Sequence, residues 1–202
     1  TYDARRAQMD DLFRSLPEGI PLRHSQPLPF ETWDALAATR TKARETGTEG
    51  VMIKRGDSLY GVGRKRGDWW KWKLDPLTID AVMIYAQAGH GRRATLYTDF
   101  TFAVWSGDDL VPFTKAYSGL TDAEFHKISQ WVRKNTLQRF GPVRQVTPYH
   151  VFEIAFEGIH ESPRHKSGVA LRFPRMSRWR YDKAVRQANT LDDLKEMLSR
   201  YG

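Results

Sequence analysis

The chain has 202 residues, enough to bury a sizeable core in one medium domain or two small ones. Its 32 lysines and arginines against 24 aspartates and glutamates leave a formal charge of +8 and a pI near 9.8, so a polyanionic partner is the first expectation. The absence of cysteine excludes disulfides, thiolate metal sites and cysteine nucleophiles, and no apolar run approaches the roughly 20 residues of a membrane helix, so a soluble chain with no membrane partner is expected. The start, Thr1 to Arg6, has no apolar leader and no initiator Met, which reads as a chain without a secretory signal that begins inside a longer protein.

Met9, Leu12, Phe13 and Leu16 share a helical face ahead of Pro17, predicting a short first helix. Four prolines between Pro17 and Pro29 predict an extended connector, followed by a helix over Thr32 to Thr46 that Gly47 closes. From Glu49 onward the pattern is one of short antiparallel strands: Val51 to Ile53, Ser58 to Val62 and Trp69 to Leu74. Further strands are expected at Ile79 to Ala86, Ala94 to Trp105, Leu110 to Tyr117, Tyr149 to Phe156 and Val169 to Phe173, a number that suits a small β-barrel. Thr121 and Glu124 have capping-box spacing ahead of Phe125, Ile128, Trp131 and Val132, predicting a helix from about 122 to 135. A last helix begins at Thr190. The fold class is α+β, mainly antiparallel β.

Positive charge concentrates in residues 54 to 75 and 163 to 183, where Trp69, Trp70, Trp72, Phe173, Trp179 and Tyr181 interleave with it. In Trp70-Lys71-Trp72-Lys73-Leu74, strand alternation projects Lys71 and Lys73 together, roughly 7 Å apart, with Trp70, Trp72 and Leu74 as anchors behind them. Two ammonium groups so placed can straddle one phosphate; a lysine-rich solvent face is the plainer alternative. Tyr97, Phe100, Phe102 and Trp105 could stack single-stranded bases, though core packing suits them better. His160 and His165 lie in a polar loop and lack the carboxylate pattern of zinc ligands, and His90 belongs to a hairpin turn.

Glu49-Gly50-Val51-Met52-Ile53-Lys54, followed by Lys71-Trp72-Lys73, resembles motifs IV and V of the covalent nucleotidyltransferases, in particular the bacterial ATP-dependent DNA ligases. Arg172-Phe173-Pro174-Arg175-Met176-Ser177-Arg178-Trp179-Arg180-Tyr181-Asp182-Lys183 resembles motif VI, and Val151 to Ile159 resembles the strand that precedes it. The resemblance covers about residues 30 to 200. It implies that residues 1–75 are the rear portion of a nucleotidyltransferase domain and residues 76–202 an OB-fold β-barrel with accessory helices. It also implies ATP as cosubstrate, Mg²⁺ (or Mn²⁺) as the ion, nicked double-stranded DNA as partner, and a bacterial, cytoplasmic, nucleoid-associated location.

By the same resemblance Glu49 helps hold the metal, a role that suits a hard carboxylate oxygen. Lys71 and Lys73 contact the α-phosphate, where charge builds. Asp75 matches the interdomain hinge, Arg180 and Lys183 orient the β- and γ-phosphates on closure of the OB module, and Asp182 positions them. Lys54 is given a nucleotide-binding role, and Arg164, Lys166, Arg175 and Arg178 contacts with DNA. The family's nucleophile is the lysine of Lys-x-Asp-Gly, a motif that occurs nowhere in this sequence. The expectation is therefore a C-terminal part of a ligase that needs the N-terminal part of the same protein. A non-catalytic OB module, or an RNA ligase or capping-type enzyme, are the alternatives.

Overall fold

Pro76 follows Asp75 at the border between two compact units, Thr1–Asp75 and Pro76–Gly202, in a computed structural model that describes all 202 residues. The first unit opens with α1 (Tyr2–Ser15), N-capped by the Thr1 hydroxyl. The expected face of Met9 and Leu12 is left 45% and 57% exposed, because nothing in this unit packs across it. The proline-rich connector folds back on the helix instead, with Phe13 against His24 at 4.2 Å and Arg6 donating to the Ser25 carbonyl at 2.6 Å.

α2 (Trp33–Thr41) begins at its Thr32 cap, and a 3-10 turn over Ala43–Thr46 brings the chain to Gly47, so the expected single helix is an α-helix with a tightened end. β1 (Gly50–Lys54) and β2 (Trp69–Lys73) form an antiparallel pair in which Gly50 faces Lys73 and Lys54 faces Trp69. The strand expected at Ser58 to Val62 is absent. Leu59, Tyr60 and Val62 are 75%, 80% and 86% exposed, and with glycines at 56, 61, 63 and 67 the segment forms turns rather than a third strand.

The second unit is an antiparallel sheet curled into an OB-like half-barrel. β3 (Leu77–Ala88) is its spine, pairing with β4 (Tyr97–Ser106) on one edge and with β8 (Val151–Phe156) and then β7 (Val143–Val146) on the other. Both of its faces are covered, which is why the sequence there is apolar without alternation. β5 (Asp109–Ala116) continues from β4, β6 (Thr136–Phe140) pairs with β7, and β11 (Arg175–Trp179) pairs with β8. β9 (Gly158–Glu161) and β10 (Val169–Arg172) make a separate hairpin.

α3 (Asp122–Lys134) carries the expected capping box and buries Phe125, Ile128 and Val132, while α4 (Leu191–Tyr201) buries Leu194. The barrel interior contains Phe100, Phe102, Phe113, Phe125, Phe152 and Phe156, all at most 2% exposed. Phe100 and Phe102 are thus core, and no base can stack on them. Trp105, half-buried, donates its indole N–H to the Val185 carbonyl at 2.8 Å.

The barrel seam between β5 and β11 is not a ladder: Met176 N donates to the Ser118 carbonyl at 2.9 Å just beyond the end of β5. Gly119, at φ 109°, makes this approach possible, since a Cβ there would fall 1.7 Å from the Met176 oxygen. Sequence periodicity did not indicate the β6–β7 hairpin, β9 or β11, which are short and polar. It also began β4 too early, because residues 94–96 continue the turn that follows the 3-10 turn of residues 91–93.

Candidate functional site

In the first unit the motif-bearing strands are neighbours. The register sets Lys71 opposite Met52 and Lys73 opposite Gly50, so Lys54, Lys71 and Lys73 share one face of the pair together with Trp69. The opposite face carries Trp72, which lies under the Arg40 guanidinium of α2 at 5.1 Å, and Arg40 also donates to the Lys73 carbonyl. Trp70, expected as an anchor, is 46% exposed, since α2 covers the Trp72 end only.

Glu49 and Lys73, 24 residues apart in sequence, meet at 3.0 Å. The Lys54 ammonium is held by two rings, Trp69 at 4.4 Å and Tyr2 at 5.1 Å, a cation–π clasp that fixes its position. Asp75 accepts through its main-chain oxygen from Arg44 at 2.7 Å. No group of three or more His, Cys, Asp or Glu side chains is arranged to hold a metal ion, and Glu49 alone does not make a divalent-cation site in this chain.

In the second unit the chain from Arg180 to Asn189 lies across the outer face of β3. Its centre is Asp80, a β3 residue only 8% exposed that sequence reasoning passed over. One carboxylate oxygen of Asp80 accepts from Arg180 at 2.7 Å and from Lys183 at 2.5 Å, and the other is buried without a hydrogen-bond partner. Asp80 and Asn189 also exchange hydrogen bonds, each at 2.9 Å.

Arg180 forms a two-pronged pair with Asp182 at 2.9 and 2.7 Å. The Asp182 hydrogen bond and the Asp80 and Asp182 charges hold the guanidinium protonated, and the Arg180 hydrogen bonds hold the Asp182 carboxyl well below the usual carboxylate range. The apolar segment Ile79 to Ala86 read as plain strand; a charged residue inside it, 100 residues from Arg180, was the available signal.

Beside this cluster is a cavity of about 460 Å³ lined by Tyr149, His150, Trp179, Arg180, Tyr181 and Lys183 among others. Trp179 donates to His150 Nδ1 at 3.3 Å, which puts the imidazole proton on Nε2, buried with no hydrogen-bond partner. Burial, and secondarily the Lys127 charge, push the His150 pKa down to about 4.

The expected DNA-contacting residues are divided. Arg164 and Lys166 lie in the exposed turn between β9 and β10. Arg175 pairs with Glu157 at 3.0 Å and Arg178 with Glu153 at 3.6 Å, both acids on or next to β8. Phe173, at φ 53° and 64% exposed, holds the turn ahead of β11 in a backbone conformation rare for a residue with a Cβ.

Residues 93–183 match the family described as ATP dependent DNA ligase C terminal region. The chain is 45% identical over 155 residues to a probable DNA ligase of Koribacter versatilis, covering 77% of this chain and 27% of that protein. It is 38% identical over 180 residues to a probable DNA ligase of Opitutus terrae, covering 87% of this chain and 18% of that one. The chain therefore spans about a quarter of one relative and less than a fifth of the other. A solved structure from a structure-function analysis of Lig E DNA ligases, described as DNA binding with a minimal scaffold, superposes with a TM-score of 0.64 at 18% identity. It covers 89% of this chain and 59% of that one, a likeness of fold. No helix is long and apolar enough to cross a membrane.

Proposed function

We propose, for a chain that belongs to the C-terminal region of the ATP-dependent DNA ligases, that it works as part of an enzyme sealing nicks in double-stranded DNA. Residues 1–75 are the rear of the nucleotidyltransferase domain, residues 76–202 the OB module, and Asp75 the hinge between them. The observation that carries the reading is the β1–β2 pairing. It puts Glu49 against Lys73 and sets Lys71 and Lys73 on one face, where two ammonium groups can neutralise an α-phosphate.

The reaction has three nucleotidyl transfers. A lysine amine attacks the α-phosphorus of ATP, forming a P–N bond as the P–O bond to pyrophosphate breaks. The 5′-phosphate at the nick then displaces the lysine, and the 3′-hydroxyl finally displaces AMP, leaving a phosphodiester. The protein's part is positioning and charge neutralisation. Lys71 and Lys73 serve the α-phosphate, Lys54 the nucleotide, and Arg180 and Lys183 the β- and γ-phosphates, with Asp182 orienting Arg180. Arg164, Lys166, Arg175 and Arg178 face DNA phosphates. Mg²⁺ or Mn²⁺ needs oxygens beyond Glu49, supplied from outside this chain. The expected location is the bacterial cytoplasm, at the nucleoid.

The attacking lysine lies in a Lys-x-Asp-Gly segment that this sequence does not contain. The test is incubation of the chain with a divalent cation and ATP labelled at the α-phosphate, alone and with a separately produced segment carrying Lys-x-Asp-Gly. Label is expected only in the mixture and on the added segment, and it should be lost with Lys71→Ala or Lys73→Ala. Label on this chain alone, or in neither case, overturns the reading.

A further inference from the structure

The cavity beside Arg180 has walls that the phosphate chemistry above does not use. Two separate segments build them, Tyr149 and His150 from the loop before β8 and Trp179 and Tyr181 from the end of β11, and Lys127 of α3 lies against the Tyr181 ring. Tyr149 stacks on Trp131, with centroids 6.1 Å apart and an interplanar angle of 25°. Tyr181 stacks on Trp179 at 4.7 Å and 22°. His150 joins the two stacks edge-on, 4.3 Å from Trp131 and 4.8 Å from Trp179.

Both tyrosines are supported from behind and open in front: Tyr149 is 64% and Tyr181 61% exposed, whereas Trp179 beneath is 4% exposed. Large aromatic rings left in water on a rigid backing, in a chain of charge +8, call for a planar, anionic occupant.

The cations are placed to match. The Lys127 ammonium is 4.6 Å from the Tyr181 centroid and 5.5 Å from that of Trp179. With 4.7 Å between the rings these distances form a nearly equilateral triangle, so the ammonium lies beside the stack and leaves the outer face of Tyr181 open. Lys183 also lines the cavity, one of its N–H groups donated to Asp80 and the others left for a ligand, and Asp182, the carboxylate in the lining, is paired with Arg180. About 460 Å³ falls in the range of small-ligand sites and accommodates a base with its sugar and phosphate.

We propose that this cavity binds one unpaired nucleotide, the base laid on Tyr181 with Tyr149 as the facing wall, and the phosphate at Lys127 and Lys183. A displaced strand end at a break and a free mononucleotide share this chemistry. The site does not depend on the ligation reading: it would serve a protein that only binds DNA equally well.

The test is fluorescence anisotropy of the full chain with a labelled eight-nucleotide oligothymidylate and with a fully paired hairpin duplex, and AMP as competitor. Tyr181→Ala and Tyr149→Ala should each weaken single-strand binding by about tenfold while leaving duplex binding within about twofold, and Tyr181→Phe should keep the wild-type affinity. Lys127→Gln should weaken the single strand by a few fold and reduce its salt dependence.

Both tyrosines are exposed, so their removal leaves no buried hole, and a melting temperature within about 2 °C of wild type confirms that the variants are folded. Tyrosine-dependent competition by AMP assigns the site to free nucleotides as well as strands, and its absence assigns it to strands alone. Unchanged single-strand binding in both tyrosine variants, or an equal loss on the duplex, overturns the proposal.

Discussion

His150 ties a single proton to the stability of the second unit. Its pKa falls from the ordinary 6.5 to about 4 because the ring is packed among Trp131, Trp179 and Tyr149, with Lys127 nearby. Between those two pH values the unfolded chain holds more protons than the folded one, so stability is full above pH 6.5 and falls as pH drops to 4. Part of the ring keeps contact with water, and the loss is on the order of 2 kcal/mol rather than the whole shift. The carboxyls of Asp182 and Asp193, held down by hydrogen bonds, are lost only below their ordinary 3.8. Melting curves at pH 7 and 4.5 should differ by several degrees for the wild type and much less for His150→Phe; equal differences would refute the assignment. The residue scale is also where sequence was least informative. Glu49, Arg180 and Lys183 could be singled out from their neighbours in sequence, whereas Asp80 showed only as a charge inside an apolar strand. Its partners, 100 and 103 residues away, leave no local trace.

At the scale of elements, Gly50 determines whether β1 and β2 can pair. A Cβ there would lie 2.3 Å from the Trp72 carbonyl oxygen and 2.8 Å from the Lys73 Cα, and the backbone has φ 140°. Those neighbours are main chain and cannot rotate away, so Gly50→Ala should pry the strands apart and separate Glu49 from Lys73. Hydrogen exchange should show the amides of residues 51–54 at least about tenfold faster, with the amides of β3 unchanged. Unaltered protection in β1 would show that the strand accommodates the methyl group. Elements with strong local signals were legible: the capping box of α3, the start of α4 after Thr190 and the apolar run of β3 lie where periodicity and punctuation put them. Leu59, Tyr60 and Val62 misled, because β-forming residues without a buried face do not make a strand. The β6–β7 hairpin had the reverse problem: its residues are polar because it flanks the barrel, and its place is set by pairing with β3.

For the molecule as a whole, the apolar core is divided very unequally. Leu36 and Ala43 are the buried apolar residues of the first unit, while every other member of the core lies beyond residue 76. Packing of β1, β2 and α2 therefore rests on a few half-buried side chains, cation–π contacts and ion pairs, and the second unit has a closed interior of its own. Limited trypsin digestion should cut first around Arg64, Lys65 and Arg66 and leave a resistant fragment reaching from there to the C-terminal region. Loss of both units at the same rate would contradict this division. The barrel seam at Ser118 and Met176 has a consequence for how copies of the molecule meet. An unclosed seam leaves β5 and β11 with main-chain groups that a strand from another molecule could take up. Pro112 removes a donor from β5, the ladder between β4 and β5 shifts register beside it, and Arg175 and Arg178 border β11 with charge. The barrel can thus stay open at one side without offering a template for association, which is opposed by blunted edges rather than by completing the ring.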